Sequence, residues 1–131
     1  MKFYGVWSFQ IKEKSGEILK EWTSRNLVVN QGLEYALDVA LLSGTQITTW
    51  YGGLMSDTPT PSTSASHTLA AHAGWTEETG YTGNRQSWTG VRTSQTADNA
   101  ADLFEFEASG ADMDVAGAFL CSASTGTTGN L

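Results

Sequence analysis

Cysteine is nearly missing from this chain: Cys121 is the only one in 131 residues. That excludes an intrachain disulfide and any zinc site built from several thiolates. Cys121 lies in an apolar run, where a small buried hydrophobe is the expected role. Charge is also scarce. Lys, Arg, Asp and Glu make up 16% of the chain, against roughly a quarter in ordinary domains. Solubility must therefore lean on thirty Ser and Thr and on fourteen Gly. Positive charge is the scarcest of all, with seven Lys and Arg against fourteen Asp and Glu and a net charge of −7. Phosphate contact needs clustered cations, so direct nucleic-acid binding is not expected. No run approaches the ~20 apolar residues of a membrane span, so no membrane partner is expected either. The N-terminal MKFYGVWSFQ alternates instead of forming a continuous apolar stretch, which does not read as a signal peptide.

Catalytic signatures are lacking too. GxSxG, Walker, GxGxxG and HExxH patterns do not occur. His67 and His72 are five apart, which does not stack them on one helical face. Asp112 and Asp114 share one side of a strand without the spacing of a calcium loop. Glu77 with Glu78, or Glu105 with Glu107, would supply a pair of acids for glycoside chemistry, but outward-facing strand glutamates give the same pattern. We expect no enzyme activity, no cofactor and no metal.

Aromatic residues are plentiful: five Trp, five Phe and four Tyr. With 40% hydrophobic residues they suffice for the core of one domain, residues 1–131. The organising stretch is residues 25–44. Asn30 is suited to an N-cap. Leu33, Ala36, Leu37, Ala40 and Leu41 then recur as one apolar stripe, and Gly44 stands where a left-handed residue ends a helix. The pattern predicts a helix over residues 30–43 that buries its leucine face as a strut.

Before it, Phe3, Trp7, Phe9 and Ile11 alternate with Ser8, Gln10 and Lys12, and residues 18–23 return after a Lys14-Ser15-Gly16 turn, so residues 1–25 read as a β-hairpin. After it, residues 45–123 read as strands and long loops. Residues 45–56 are apolar on both parities, as in a strand covered on both faces. Gly52-Gly53 marks a bulge or a close backbone approach. Residues 57–66, which hold both prolines, read as an exposed loop. Residues 67–75 are expected to make one or two helical turns, and 76–86 a loop. Strands are expected at 87–93, with Trp88 and Val91, and at 102–108, with Phe104, Phe106 and Ala108 inward. Turns are expected at 94–101 and 109–112. Residues 113–123 read as a central strand, and 124–131 as a Gly/Thr-rich tail. The class is mainly β (α+β): an antiparallel sandwich or barrel-like sheet with an N-terminal hairpin and one packed helix.

Charge is uneven along the chain. Lys2, Lys12, Lys14, Lys20 and Arg25 precede a remainder with only Arg85 and Arg92 against eleven acids. A basic hairpin on an acidic body would dock on acidic neighbours, copies of itself included. Charge alternation along a solvent edge gives the same pattern and is preferred. Trp50, Tyr51, Trp75, Tyr81 and Trp88 cluster in the middle third. Carbohydrate platforms use such clusters, and so do core packing and subunit contacts, which we favour.

The order of segments carries a resemblance. A hairpin is followed by NLVVNQGLEYALDVAL, GTQITTWYGGL, AAHAGWTEETGY and a late AGAFLCSASTGTTG. This resembles a family of small virion structural proteins of tailed bacteriophages, similar to capsid decoration (cement) proteins. The most specific parts are residues 26–32, 45–54 and 72–78. The resemblance implies a non-enzymatic protein made in the host cytoplasm and placed on the capsid exterior. Its partners would be the major capsid protein and itself, as a homo-dimer or homo-trimer. Members of that family continue past the TTG segment into one or two more strands, which this chain is then expected to lack, leaving the closure of its sheet open. Candidate subunit or capsid contacts are Trp7, Trp22, Trp50, Tyr51, Trp75, Tyr81 and Trp88. The alternative is a carbohydrate-binding or tail-associated receptor-binding module.

Overall fold

The alternation at the N-terminus becomes a two-stranded antiparallel sheet. The computed structural model describes residues 4–110 and 112–131; the expectation for Phe3, and the Ala111 part of the expected 109–112 turn, lie outside them. Strand β1 (Val6–Lys12) pairs with β2 (Ile18–Arg25), with Trp7 opposite Ser24, Phe9 opposite Trp22 and Gln10 opposite Glu21. Alternate residues take opposite faces. Trp7, Phe9 and Trp22 are half-buried, while Ser8, Gln10, Glu21 and Thr23 are exposed. Gly16, at φ +91°, makes the turn between them. The base of the hairpin is clasped: the Gly5 N–H donates to Asn26 Oδ1 at 2.5 Å and the Asn26 N–H to the Gly5 carbonyl at 3.1 Å.

Helix α1 (Asn30–Leu41) forms where expected. Its ends and its facing differ from expectation. Val29, in extended conformation, is the N-cap and supplies no side-chain bond. Asn30 is instead the first helical residue, its N–H donating to the Ala65 carbonyl at 2.8 Å. At the other end Ser43, at φ +59°, takes the left-handed role assigned to Gly44. Gly44 is needed for proximity, since a Cβ there would lie 2.9 Å from the Asp38 carbonyl carbon. Its N–H bonds Asp38 O at 2.9 Å, an oxygen that also accepts the Leu42 N–H at 3.0 Å, which closes the last turn.

The expected buried leucine face is overturned. Gln31, Gly32, Tyr35, Ala36 and Val39 are half-buried, whereas Leu33, Leu37 and Leu41 are 36%, 49% and 72% exposed. Polar bonds set this rotation. The Ile47 N–H donates to the Tyr35 hydroxyl at 2.6 Å, and the Leu131 N–H to Gln31 Oε1 at 2.9 Å. Gly32 lets the Leu131 carbonyl come close, 3.4 Å from where a Cβ would stand. The helix lies on the body by its small and polar side and shows its leucines to solvent.

Strand β3 (Tyr51–Ser56) is the centre of a four-stranded antiparallel sheet. Short strands β4 (Glu77–Glu78) and β5 (Gln86–Ser87) follow one another along one edge, and β8 (Val115–Cys121) takes the other. Strands β6 (Val91–Thr93) and β7 (Thr96–Asp98) form a separate exposed hairpin. Burial on both parities of β3 is as the sequence predicts, and its glycines permit close packing. A Cβ on Gly52 would lie 2.6 Å from the Phe104 ring, and one on Gly53 2.5 Å from the Phe119 ring. The core cluster is Met55, Leu69, Trp75, Phe119 and Cys121, with Tyr51, Ala123 and Leu131 against it.

Among the described residues the architecture is thus mainly β, antiparallel, with one helix and no closed barrel. Several local expectations fail: the loop expected at 76–86 holds β4 and the start of β5, the turn expected at 94–101 holds β7, and the strand expected over 87–93 shrinks to Val91–Thr93 with Ser87 in β5. Residues 67–75 form a small bridged turn, Thr68 with Ala71, because Gly74 at φ +108° and the Ser62–Gly74 bond fold the segment back. Residues 102–108 keep their alternation, Phe104 and Phe106 half-buried and Glu105 and Glu107 exposed, but form no ladder beyond the Ala108 bridge to Tyr81. There the Gln86 side chain bonds both the N–H and the carbonyl of Glu105. Strand β8 is an edge, paired only with β3. A continuous apolar run reports covered faces; it does not report paired edges.

Candidate functional site

Between the N-terminal hairpin and the main sheet runs an open groove of about 730 Å³. The alternation of β1 and β2 places Trp7, Phe9 and Trp22 on its hairpin wall. Residues 27–29, Gly32 and Tyr35 form its helical side, and β8 forms its sheet side. Trp50 and Trp75 complete the aromatic lining, so four of the five tryptophans meet here. The rings are ordered by one another. Phe9 stacks on Trp22 at 4.7 Å and 8°, and Tyr35 meets Trp50 edge-on at 5.4 Å. Trp7 lies 6.4 Å from Phe104, which links the hairpin to the body. Lys20 Nζ stands 5.0 Å over the Trp22 ring, and Arg25 also lines the groove.

The seven contact residues expected from sequence separate in space. Trp7, Trp22 and Trp50 line the groove and remain half-buried. Trp75 lines its floor but is only 5% exposed, and Tyr81 is 7% exposed, packed edge-on against Phe106 at 4.7 Å. Tyr51 packs against the core. Trp88 lies away from the groove, its N–H donating to the Trp50 carbonyl at 2.7 Å. Several exposed apolar side chains lie on the helix and the hairpin: Leu41 and Leu42 at 72%, Val6 at 61%, Leu19 at 58% and Leu37 at 49%. The leucine spacing itself was the signal for this surface; it was assigned to the wrong side of the helix.

Two of the candidate acids, Glu77 and Glu78, are held in structural bonds, while Glu105 and Glu107 are exposed. Arg85, 6% exposed, donates from Nε to Glu77 Oε1 at 2.7 Å and from Nη2 to Oε2 at 2.5 Å. Its Nη1 bonds the Ala123 carbonyl at 3.0 Å, and its guanidinium lies 5.2 Å from the Phe119 ring. The Glu77 hydrogen bonds raise the Arg85 pKa further and hold it protonated. Burial, with Glu77 beside it, pushes Tyr81 up to about 12. Burial also raises the Cys121 thiol above its ordinary value, so a reactive thiolate is disfavoured there. Glu78 accepts the Gly80 N–H at 2.6 Å and the Asp114 N–H at 3.3 Å. His67 and His72 make local loop contacts, with Ser64 N–H and Trp75 O. Among the described residues no group of three or more His, Cys, Asp or Glu is placed to hold a metal ion. Among the described residues no helix is long and apolar enough to cross a membrane.

Comparison with protein-family models, with curated proteins and with solved structures finds no match to this chain.

Proposed function

We propose that this chain is a structural binding protein of a tailed-phage virion, a decoration (cement) protein that attaches to the outer capsid surface and steadies the major capsid protein lattice. The observation that carries this reading is the exposed aliphatic surface of α1 and the hairpin, led by Leu37, Leu41, Leu42 and Leu19. Leucines aligned on one helix face and turned to solvent mark a protein contact. The segment order of the sequence supports the same reading. Many weak contacts on a lattice act together, so each copy needs only a modest surface. Self-association as a homo-dimer or homo-trimer would use part of it.

The test mixes purified protein with undecorated capsids. Co-sedimentation is expected, with loss on Leu37→Lys and Leu41→Lys. If no complex sediments, and capsids lacking the protein resist heat and internal pressure like wild type, the proposal fails.

The aromatic groove favours a second reading, a carbohydrate-binding or tail-associated receptor-binding module. It predicts a glycan-array signal lost on Trp22→Ala or Trp50→Ala, the half-buried rings of the groove, and a position at the tail instead of over the capsid.

A further inference from the structure

Six consecutive residues of β8, 115–120, line the groove. Successive side chains of a strand point to opposite faces, so a hollow above one face meets only every second residue. This one meets all six, and Met55 of β3 and Trp75 as well, so it covers one face of β8 and reaches around its edge. Strand β3 occupies one edge; the groove runs along the other. Among the described residues, no hydrogen bond outside the β3 ladder reaches the backbone of 115–121. Every second N–H and C=O along that edge is therefore unpaired. Protein edges are usually blunted by charge, proline or a covering element. VAGAFLC has neither charge nor proline, and it lines the groove.

We propose that this edge is a docking site for one extended protein segment, apolar at alternate positions and carrying an acidic residue, which adds to β8 as a further strand. The edge offers about 20 Å of ladder, at ~3.3 Å a residue. The rings of Trp7, Phe9 and Trp22 form the facing wall and would hold the segment's apolar side chains. Lys20 and Arg25 line the groove, neither with a carboxylate partner among the described residues, against one acidic side chain, Asp57, so the lining side chains are net positive. They select the acid. A second folded copy fits less well, because each copy carries −7 and two would repel. The inference is independent of the capsid reading, since any protein can present such a segment.

The test uses the full chain and a short synthetic peptide of alternating valine and threonine ended by glutamate. Hydrogen exchange with and without peptide reads the amides of 115–120, and titration gives the affinity. The expected result is slowed exchange across β8, with affinity lowered about tenfold or more when alternate peptide nitrogens on one edge are methylated, because the ladder bonds are lost. Methylation leaves the protein untouched, so misfolding cannot mimic the effect. Unchanged exchange at millimolar peptide overturns the proposal, and so does equal binding of the methylated peptide. It is also overturned if the chain sediments as a dimer whose 115–120 amides are already protected, which would make a second copy the occupant.

Discussion

Arg85→Met should destabilise this protein by about 3–4 kcal/mol, through the carboxylate it abandons. Breaking one side of a buried ion pair costs ~3–5 kcal/mol, because the remaining charge is left in a poor solvent. Here the Arg85 side chain is 4% exposed and that of Glu77 22%. Glu77 can therefore recover some hydration, which places the charge cost near about 3 kcal/mol. The Ala123 carbonyl also loses its 3.0 Å donor. An unsatisfied buried acceptor costs ~1–3 kcal/mol, but the Cys121 thiol already donates to the same oxygen at 3.2 Å, so only the low end applies. Methionine keeps apolar contact with Phe119, which limits any cavity cost.

For a chain of this length the melting temperature should fall by about 10 °C. Urea unfolding of Arg85→Met, Glu77→Leu and the double variant forms the assay. The double variant should recover much of the loss, since an apolar pair in the same volume leaves no stranded charge. A cost below about 1 kcal/mol for Arg85→Met, or strictly additive single effects, would refute the claim that this pair braces β4 against the end of β8.

Three further outcomes are expected. Gly53→Ala forces a methyl to within 2.5 Å of the Phe119 ring, and should cost about 1–3 kcal/mol by denaturant unfolding as the ring is displaced. Leu37→Lys should change stability by no more than about 0.5 kcal/mol, because the side chain is 49% exposed; a loss of ~2–5 kcal/mol would restore the buried-strut reading. Tyr81 retains its proton to about pH 12 when folded and to 10.0 when unfolded. Its contribution is therefore complete below pH 10 and is lost as pH rises from 10 to 12, amounting to about 2–3 kcal/mol, and Tyr81→Phe should flatten that alkaline fall in a pH series of melts.

What the sequence made legible was periodicity. Alternation placed Trp7 and Phe9 on one face of β1, and the Gly52-Gly53 pair announced a close approach that Phe104 and Phe119 fulfil. What it hid were choices made by single polar bonds. The helical stripe of leucines is real, yet the Tyr35 hydroxyl and the Gln31 amide turn the opposite side inward. Spacing shows that a helix has an apolar face; it does not show what that face meets. Residues 102–108 alternate like a strand, yet Gln86 satisfies Glu105 with a side chain where a neighbouring strand would use its backbone. Of the groove, its rings were legible as a cluster and its geometry was not. Trp7 and Trp22 come from the first 25 residues, Trp50 and Trp75 from the middle third, and β8 from the last fifth of the chain. No local pattern joins segments so far apart.

An isolated two-stranded sheet is marginal in water. Among the described residues β1 and β2 pair with each other and with no further strand. The Gly5–Asn26 clasp closes the base of this hairpin, and the Trp7–Phe104 contact links it to the body. The groove is thus framed by two walls built separately: the Phe9–Trp22 stack on the hairpin, and the sheet of the Met55, Leu69 and Phe119 core. Trp22→Ala should therefore weaken the binding of any occupant of the groove while costing less stability in denaturant unfolding than Phe119→Ala, because Trp22 is half-buried and Phe119 belongs to the core.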